Sequence, residues 1–145
     1  MLANPILLPA YADPINWGMA LVAMLAEISA ARAMLRRFGF VDPRLATRLF
    51  AVNLATWVPF LVAVERLGLS YSAESIPAFA LLEIAVMMVE TVLIRLLASG
   101  LSARVGSGAL SLRRSFAVSV VGNSVSIAVS LTLPAVFIAL LGQGG

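Results

Sequence analysis

Four stretches of the chain are almost wholly apolar over the length a helix needs to cross a bilayer, and the polar and small residues collect between them. About 20 residues at ~1.5 Å rise suffice for the hydrocarbon core. The pattern predicts an all-α polytopic membrane protein with transmembrane helices over about 16–35, 47–64, 78–98 and 115–141. Short loops between them predict two sequential hairpins in a single membrane domain spanning 1–145. The third stretch breaks the pattern. FALLEIAVMMVETVLIRLL, residues 79–97, carries Glu83 and Glu90 within its apolar run and Arg95 near its end. An acid at the centre of a membrane helix costs about 2.5–3.5 kcal/mol by insertion scales. A single interhelical hydrogen bond returns only about 0.6 kcal/mol on average. Such a residue therefore needs several partners or a task.

The connectors set orientation. Phe38-Gly39-Phe40-Val41-Asp42-Pro43 predicts a turn, 67–77 holds Glu74 among small and polar residues, and SGLSARVGSGALSLRR (99–114) is rich in Gly and Ser. Arg32, Arg36, Arg37, Arg44, Arg48, Arg95, Arg104, Arg113 and Arg114 all fall on one side of the four-span outline, against Arg66 alone on the other. The positive-inside rule then predicts both Arg-rich loops in the cytoplasm and both termini outside. Residues 1–15, with Pro5, Pro9 and Pro14, predict an extended or interfacial arm, with Tyr11 and Trp17 near the headgroups. Ala10-Tyr11-Ala12 is similar to a cleavage box, but a basic leading region and a long apolar run are missing, so the arm is expected to be retained.

Counting inward from the Arg-rich ends brings Glu27, Asn53, Glu90 and Asn123 to one height, on the order of 10–13 Å above the interface. One polar group per helix at a shared depth predicts an interior network. Glu83 and Glu90, seven apart, share a helix face, and Ser119, Asn123, Ser126 and Ser130 form a single stripe on the fourth helix. These residues are the candidate ion- or proton-handling site: Glu27, Asn53, Glu83, Glu90, Ser119, Asn123 and Ser126. In hydrocarbon a carboxyl is expected in its neutral form, able to donate to Asn and accept from Ser. Arg32 and Arg95 each stand five residues after an acid, about 140° round the helix, and are expected to snorkel to the headgroups instead of bridging it. Pro59 and Pro134 predict kinks that release the carbonyls of Ala55 and Ser130, the fourth span being broken at Pro134.

The two halves resemble each other. Glu27-Ile-Ser-Ala-Ala-Arg32 matches Glu90-Thr-Val-Leu-Ile-Arg95, and Arg48-Leu-Phe-Ala-Val-Asn53 matches Arg114-Ser-Phe-Ala-Val-Ser119, with Asn123 one turn later. Two hairpins of the same orientation predict a parallel repeat about an axis along the membrane normal.

Composition narrows the chemistry. The chain is 61% hydrophobic and 12% charged, against roughly 45–50% and 25% in soluble domains, so lipid is its solvent. It has no Cys and no His, and all ten basic residues are Arg. Thiol chemistry and the commonest metal and haem ligands are thereby removed. Nucleotide-binding and hydrolase motifs are missing, and the Arg residues sit at span ends, where topology explains them without nucleic acid. No enzyme activity, cofactor or metal is expected; the expected partners are the bilayer and either further copies of the chain or other membrane subunits.

Glu27 closing the first span, Asn53 in the second, Glu90 in the third and Asn123-Ser124-Val125-Ser126 in the fourth give the chain a resemblance to small bacterial integral membrane proteins of the FraC type, linked with filament integrity and septal junctions in cyanobacteria. The resemblance covers most of the chain. It implies a multi-pass protein of the bacterial cytoplasmic membrane with a structural or junction role and no catalytic residues. The leading expectation is accordingly an accessory subunit of a larger membrane complex. The alternative is a proton- or cation-coupled small transporter or channel component using Glu27 and Glu90.

Overall fold

A computed structural model describes residues 14–69, 73–105 and 109–142. Four helices account for most of them: α1 (Pro14–Arg37), α2 (Leu45–Arg66), α3 (Ile76–Val105) and α4 (Leu112–Gly142), with a 3-10 turn at Ala73–Ser75. Among the described residues there is no strand. Three segments, Gly18–Arg37, Leu45–Arg66 and Leu112–Leu133, are long and apolar enough to cross a membrane.

Three boundaries differ from the sequence expectation. Pro14 and Ile15 belong to α1 and not to an arm: at a helix start the missing proline N–H is no loss. The rest of the expected arm, residues 1–13, lies outside the described residues. α3 continues seven residues past Ala98, through much of what reads as a Gly/Ser loop; Ser99 turns its hydroxyl back to the Arg95 carbonyl at 2.9 Å and so stays within the helix. α4 runs unbroken through Pro134, as α2 does through Pro59.

Two helices end identically. After α1, Gly39 takes φ +89°, its N–H meets the Arg36 carbonyl at 3.0 Å, and the Phe40 N–H meets that of Leu35 at 3.0 Å. After α2, Gly68 at φ +60° bonds the Glu65 carbonyl at 3.0 Å, and Leu69 bonds that of Val64 at 3.1 Å. These are Schellman closures, which need a residue free to adopt positive φ. The first turn is tightened by Asp42, whose Oδ1 accepts the Arg44 N–H at 2.6 Å.

Each helix packs on two others, α1 on α2 and α4, and α3 on α2 and α4, leaving the diagonals apart. The α1–α4 interface is the most extensive, and its composition explains why. α1 turns Ala20, Ala23, Glu27 and Ala31 inward, and α4 brings Gly122 and Ser126 against this face. Small faces allow close backbone approach where lipid offers no hydrophobic drive. At Gly122 the approach is tightest: a Cβ there would stand 3.1 Å from Glu27 Cγ and 3.8 Å from Ala31 Cβ.

The apolar core is concentrated at the end holding the Arg-rich connectors. Leu35, Phe40, Leu45, Leu49, Ile94, Ala98, Leu110 and Val118 form one cluster there. Large apolar side chains meanwhile face outward along the helices, among them Leu25, Val58, Met88 and Phe116. Exposed apolar surface on this scale fits a membrane protein.

Gly122→Leu is expected to push α1 from α4 and lower bundle stability by about 1–3 kcal/mol, read by denaturant titration in micelles. Gly100→Leu, where a new side chain meets nothing within 4 Å, is expected to leave it unchanged. Equal effects of the two would contradict the close approach.

Candidate functional site

Above the apolar cluster the interior turns polar at one level. Glu90 is 3% exposed, and side chains from two other helices surround its carboxyl. Thr56 Oγ1 of α2 lies 3.1 Å from Oε1; from α4, Ser119 Oγ lies 2.9 Å and Asn123 Nδ2 2.6 Å from Oε2. The second N–H of Asn123 reaches the Ser119 carbonyl at 3.0 Å, which fixes the amide. Glu27 is 8% exposed, and its carboxyl is hydrogen-bonded by Asn53 of α2 and Ser126 of α4. The expected layer is therefore assembled: Glu27, Asn53, Glu90, Ser119, Asn123 and Ser126 are all buried and all in one network. Glu83, two turns above Glu90 on the same face, is half-buried and lines the same cavity.

The partners are exchanged between the halves. Asn53 serves Glu27 and Asn123 serves Glu90, each within its own half. Three residues further on, Thr56 serves Glu90 and Ser126 serves Glu27, each in the opposite half. The unit is Asn-x-x-Thr/Ser, at Asn53–Thr56 and Asn123–Ser126. Asn53 and Asn123 thus hold like positions beside the two acids, whereas the match of Arg48-Leu-Phe-Ala-Val with Arg114-Ser-Phe-Ala-Val pairs Asn53 with Ser119. The hydrogen bonds align Asn53 with Asn123, one turn later. The cause is length at the Arg-rich end: Asn53 is 53 − 45 = 8 residues into α2, and Asn123 is 123 − 112 = 11 residues into α4.

The exchange is not symmetric. One turn before Asn123 stands Ser119, a third donor for Glu90; one turn before Asn53 stands Leu49, fully packed in the apolar core. Glu27 has two side-chain donors where Glu90 has three. Glu90 can hold either charge state. As a carboxylate it accepts from Thr56, Ser119 and Asn123. As a neutral acid its Oε1–H donates to Thr56 Oγ1, whose own hydrogen goes to the Asn53 carbonyl 3.0 Å away.

Two cavities meet at Glu27. A small one, about 40 Å³, lies among Glu27, Glu83, Glu90, Asn123 and Ser126 and is the size of a few water molecules at most. A larger chamber of about 350 Å³ opens between α1 and α2 toward the end where α1 begins, its walls including Leu21 and Met24 and its base Glu27, Asn53 and Ser126. Trp57 borders both. Toward the other end, the cluster of Leu35, Leu45, Leu49 and Val118 closes the bundle. A separate groove of about 370 Å³ beside Ala55 and Pro59, between α2 and α3, is otherwise lined by residues such as Leu82 and Val89. Of the two arginines expected to snorkel, Arg95 is exposed and Arg32 half-buried, with its Nε enclosed and without a hydrogen-bond partner.

Sequence reasoning missed Thr56 and Gly122. The first had a signal, the Asn-x-x-Thr/Ser spacing; the second is a small residue in a run of small residues and has none apart from the fold.

No family model matches the chain, and neither the curated proteins nor the solved structures contain a match to it.

Double-mutant cycles are expected to give couplings of about 0.6 kcal/mol, and no more than about 1.7, for Thr56→Val with Glu90→Gln and for Ser126→Ala with Glu27→Gln. Thr56→Val with Glu27→Gln is expected to give a smaller coupling than either. Denaturant unfolding in micelles reads all three, and a reversed ranking would contradict the exchange of partners.

Proposed function

We propose that the chain is a four-crossing membrane protein of two sequential hairpins related by an internal parallel repeat, and that its Glu27–Glu90 centre handles a proton or a cation as part of a small transporter or channel. The fourth crossing is α3, whose 30 residues exceed the length required. Leu81, Ile84, Met88, Val92 and Leu96 form an exposed apolar stripe along it, as a lipid-facing helix requires.

The observation that carries this reading is the position of Glu27. It is the carboxyl with fewer donors, and it stands where the large chamber meets the inner cavity. A structural knot needs neither an acid nor a route to it: amides and hydroxyls would tie the same helices without the cost of a carboxyl in hydrocarbon. Acids add the ability to exchange a proton or to neutralise a cation. Among the described residues no group of three or more acids is placed to hold a metal ion. Arginine placement puts the closed, apolar end of the bundle in the cytoplasm and the open chamber on the outer side.

A second reading, the accessory subunit of a larger complex in the bacterial cytoplasmic membrane, is favoured by Glu90. Its three donors from α2 and α4 make it a tie between helices. The two readings divide the acids between them, with Glu90 as the anchor and Glu27 as the working group.

In liposomes with an imposed pH gradient, the wild-type chain is expected to dissipate the gradient faster than empty vesicles. Glu27→Gln is expected to lower that rate at least tenfold while the protein stays folded by circular dichroism. Wild-type vesicles no leakier than empty ones would overturn the transport reading and leave the accessory one.

A further inference from the structure

The chamber above Glu27 has walls and a base of different character. Leu21, Met24 and the Trp57 ring give it apolar sides; Glu27, Asn53 and Ser126 give it one polar end. Its volume, about 350 Å³, is within the range of small-molecule sites, ~300–1,000 Å³. A wholly hydrated ion gains nothing from such walls, and a neutral apolar molecule gains nothing from the carboxyl. The combination suits a molecule with a flat or branched apolar body and one positive charge. Trp57 in the lining adds to this, since an indole attracts cations over its ring.

We propose that this chamber is a binding site for a monovalent amphiphilic organic cation, such as a protonated arylalkylamine, with Glu27 as its counter-ion and Trp57 and Met24 against its apolar body. The proposal rests on the reading of Glu27 as the working acid and adds the class of ligand. The base of the site is built before any ligand arrives. Asn53 and Ser126 already hold the Glu27 carboxyl in place, and a side chain at position 122 would strike its stem, so glycine there leaves it room. Such a carboxylate loses little freedom when a cation docks. Entry from the lipid suits the position of the chamber between α1 and α2, with half-exposed Leu21 on its rim.

The test uses the full chain in lipid nanodiscs, with 1-naphthylmethylammonium as the probe and 1-naphthylmethanol as its neutral counterpart, both read by calorimetry against empty nanodiscs. The cation is expected to bind saturably and the alcohol at least tenfold more weakly. Glu27→Gln is expected to weaken the cation at least tenfold and to leave the alcohol unchanged. Ala20→Leu, which fills the chamber from α1, is expected to abolish binding of both. The comparison of the two probes on the wild-type chain needs no variant and so survives a variant that fails to fold. Equal affinity for cation and alcohol, or no saturable cation binding, would overturn the proposal. The flux measurement uses no organic cation, so its failure is separable from failure here: binding without flux means a receptor or sensor site, and flux without binding means a proton pathway alone.

Discussion

A carboxyl group in hydrocarbon has to be enclosed by donors from its own protein, because nothing else at that depth can supply them. This constraint shapes the bundle. Glu27 and Glu90 sit on helices that do not touch each other, α1 and α3, and each is satisfied from the two helices lying between, α2 and α4. Two acids on opposite corners of a square, each holding both remaining corners, fix the order and register of all four helices. The apolar cluster below supplies packing, but leucines alone would tolerate rotation and sliding. The amides and hydroxyls do not, since their bonds need 2.6–3.1 Å between particular atoms.

That the acids can be enclosed at all depends on small residues elsewhere. α1 and α4 approach closely where Gly122 faces Glu27 and Ala31, since a side chain there would strike Glu27. Above the polar level the packing loosens into the chamber; below it, Leu35, Leu45 and Leu49 seal the interior. The result is a site with one open and one closed end.

Much of this was legible in the sequence. The apolar runs and their turn residues located the helices, and Gly39 and Asp42 took the parts their types suggest. Counting depth from the arginines brought Glu27, Asn53, Glu90 and Asn123 to one plane, because helical rise is nearly constant. The less legible features have physical reasons. The Ser-Gly composition after Ala98 reads as loop, yet the local back-bond of Ser99 lets the helix continue. The sequence match between Arg48-Leu-Phe-Ala-Val and Arg114-Ser-Phe-Ala-Val pairs Asn53 with Ser119, but a hydrogen bond answers to the position of a donor and not to sequence identity, and the amide beside Glu90 is Asn123, one turn later. The closure of α1 on α4 joins the two ends of the described chain, and no local pattern announces a contact of that sequence separation.

The exchange of partners between the halves has a consequence for the order of assembly. With α1 and α2 formed and the second half not yet in place, Glu27 has Asn53 but not Ser126, and Thr56 lacks Glu90. The first half by itself leaves its polar groups incompletely satisfied, and the second half supplies the missing partners. A nascent chain stalled before that point carries an under-solvated acid, which is a chemical mark by which unfinished copies differ from finished ones.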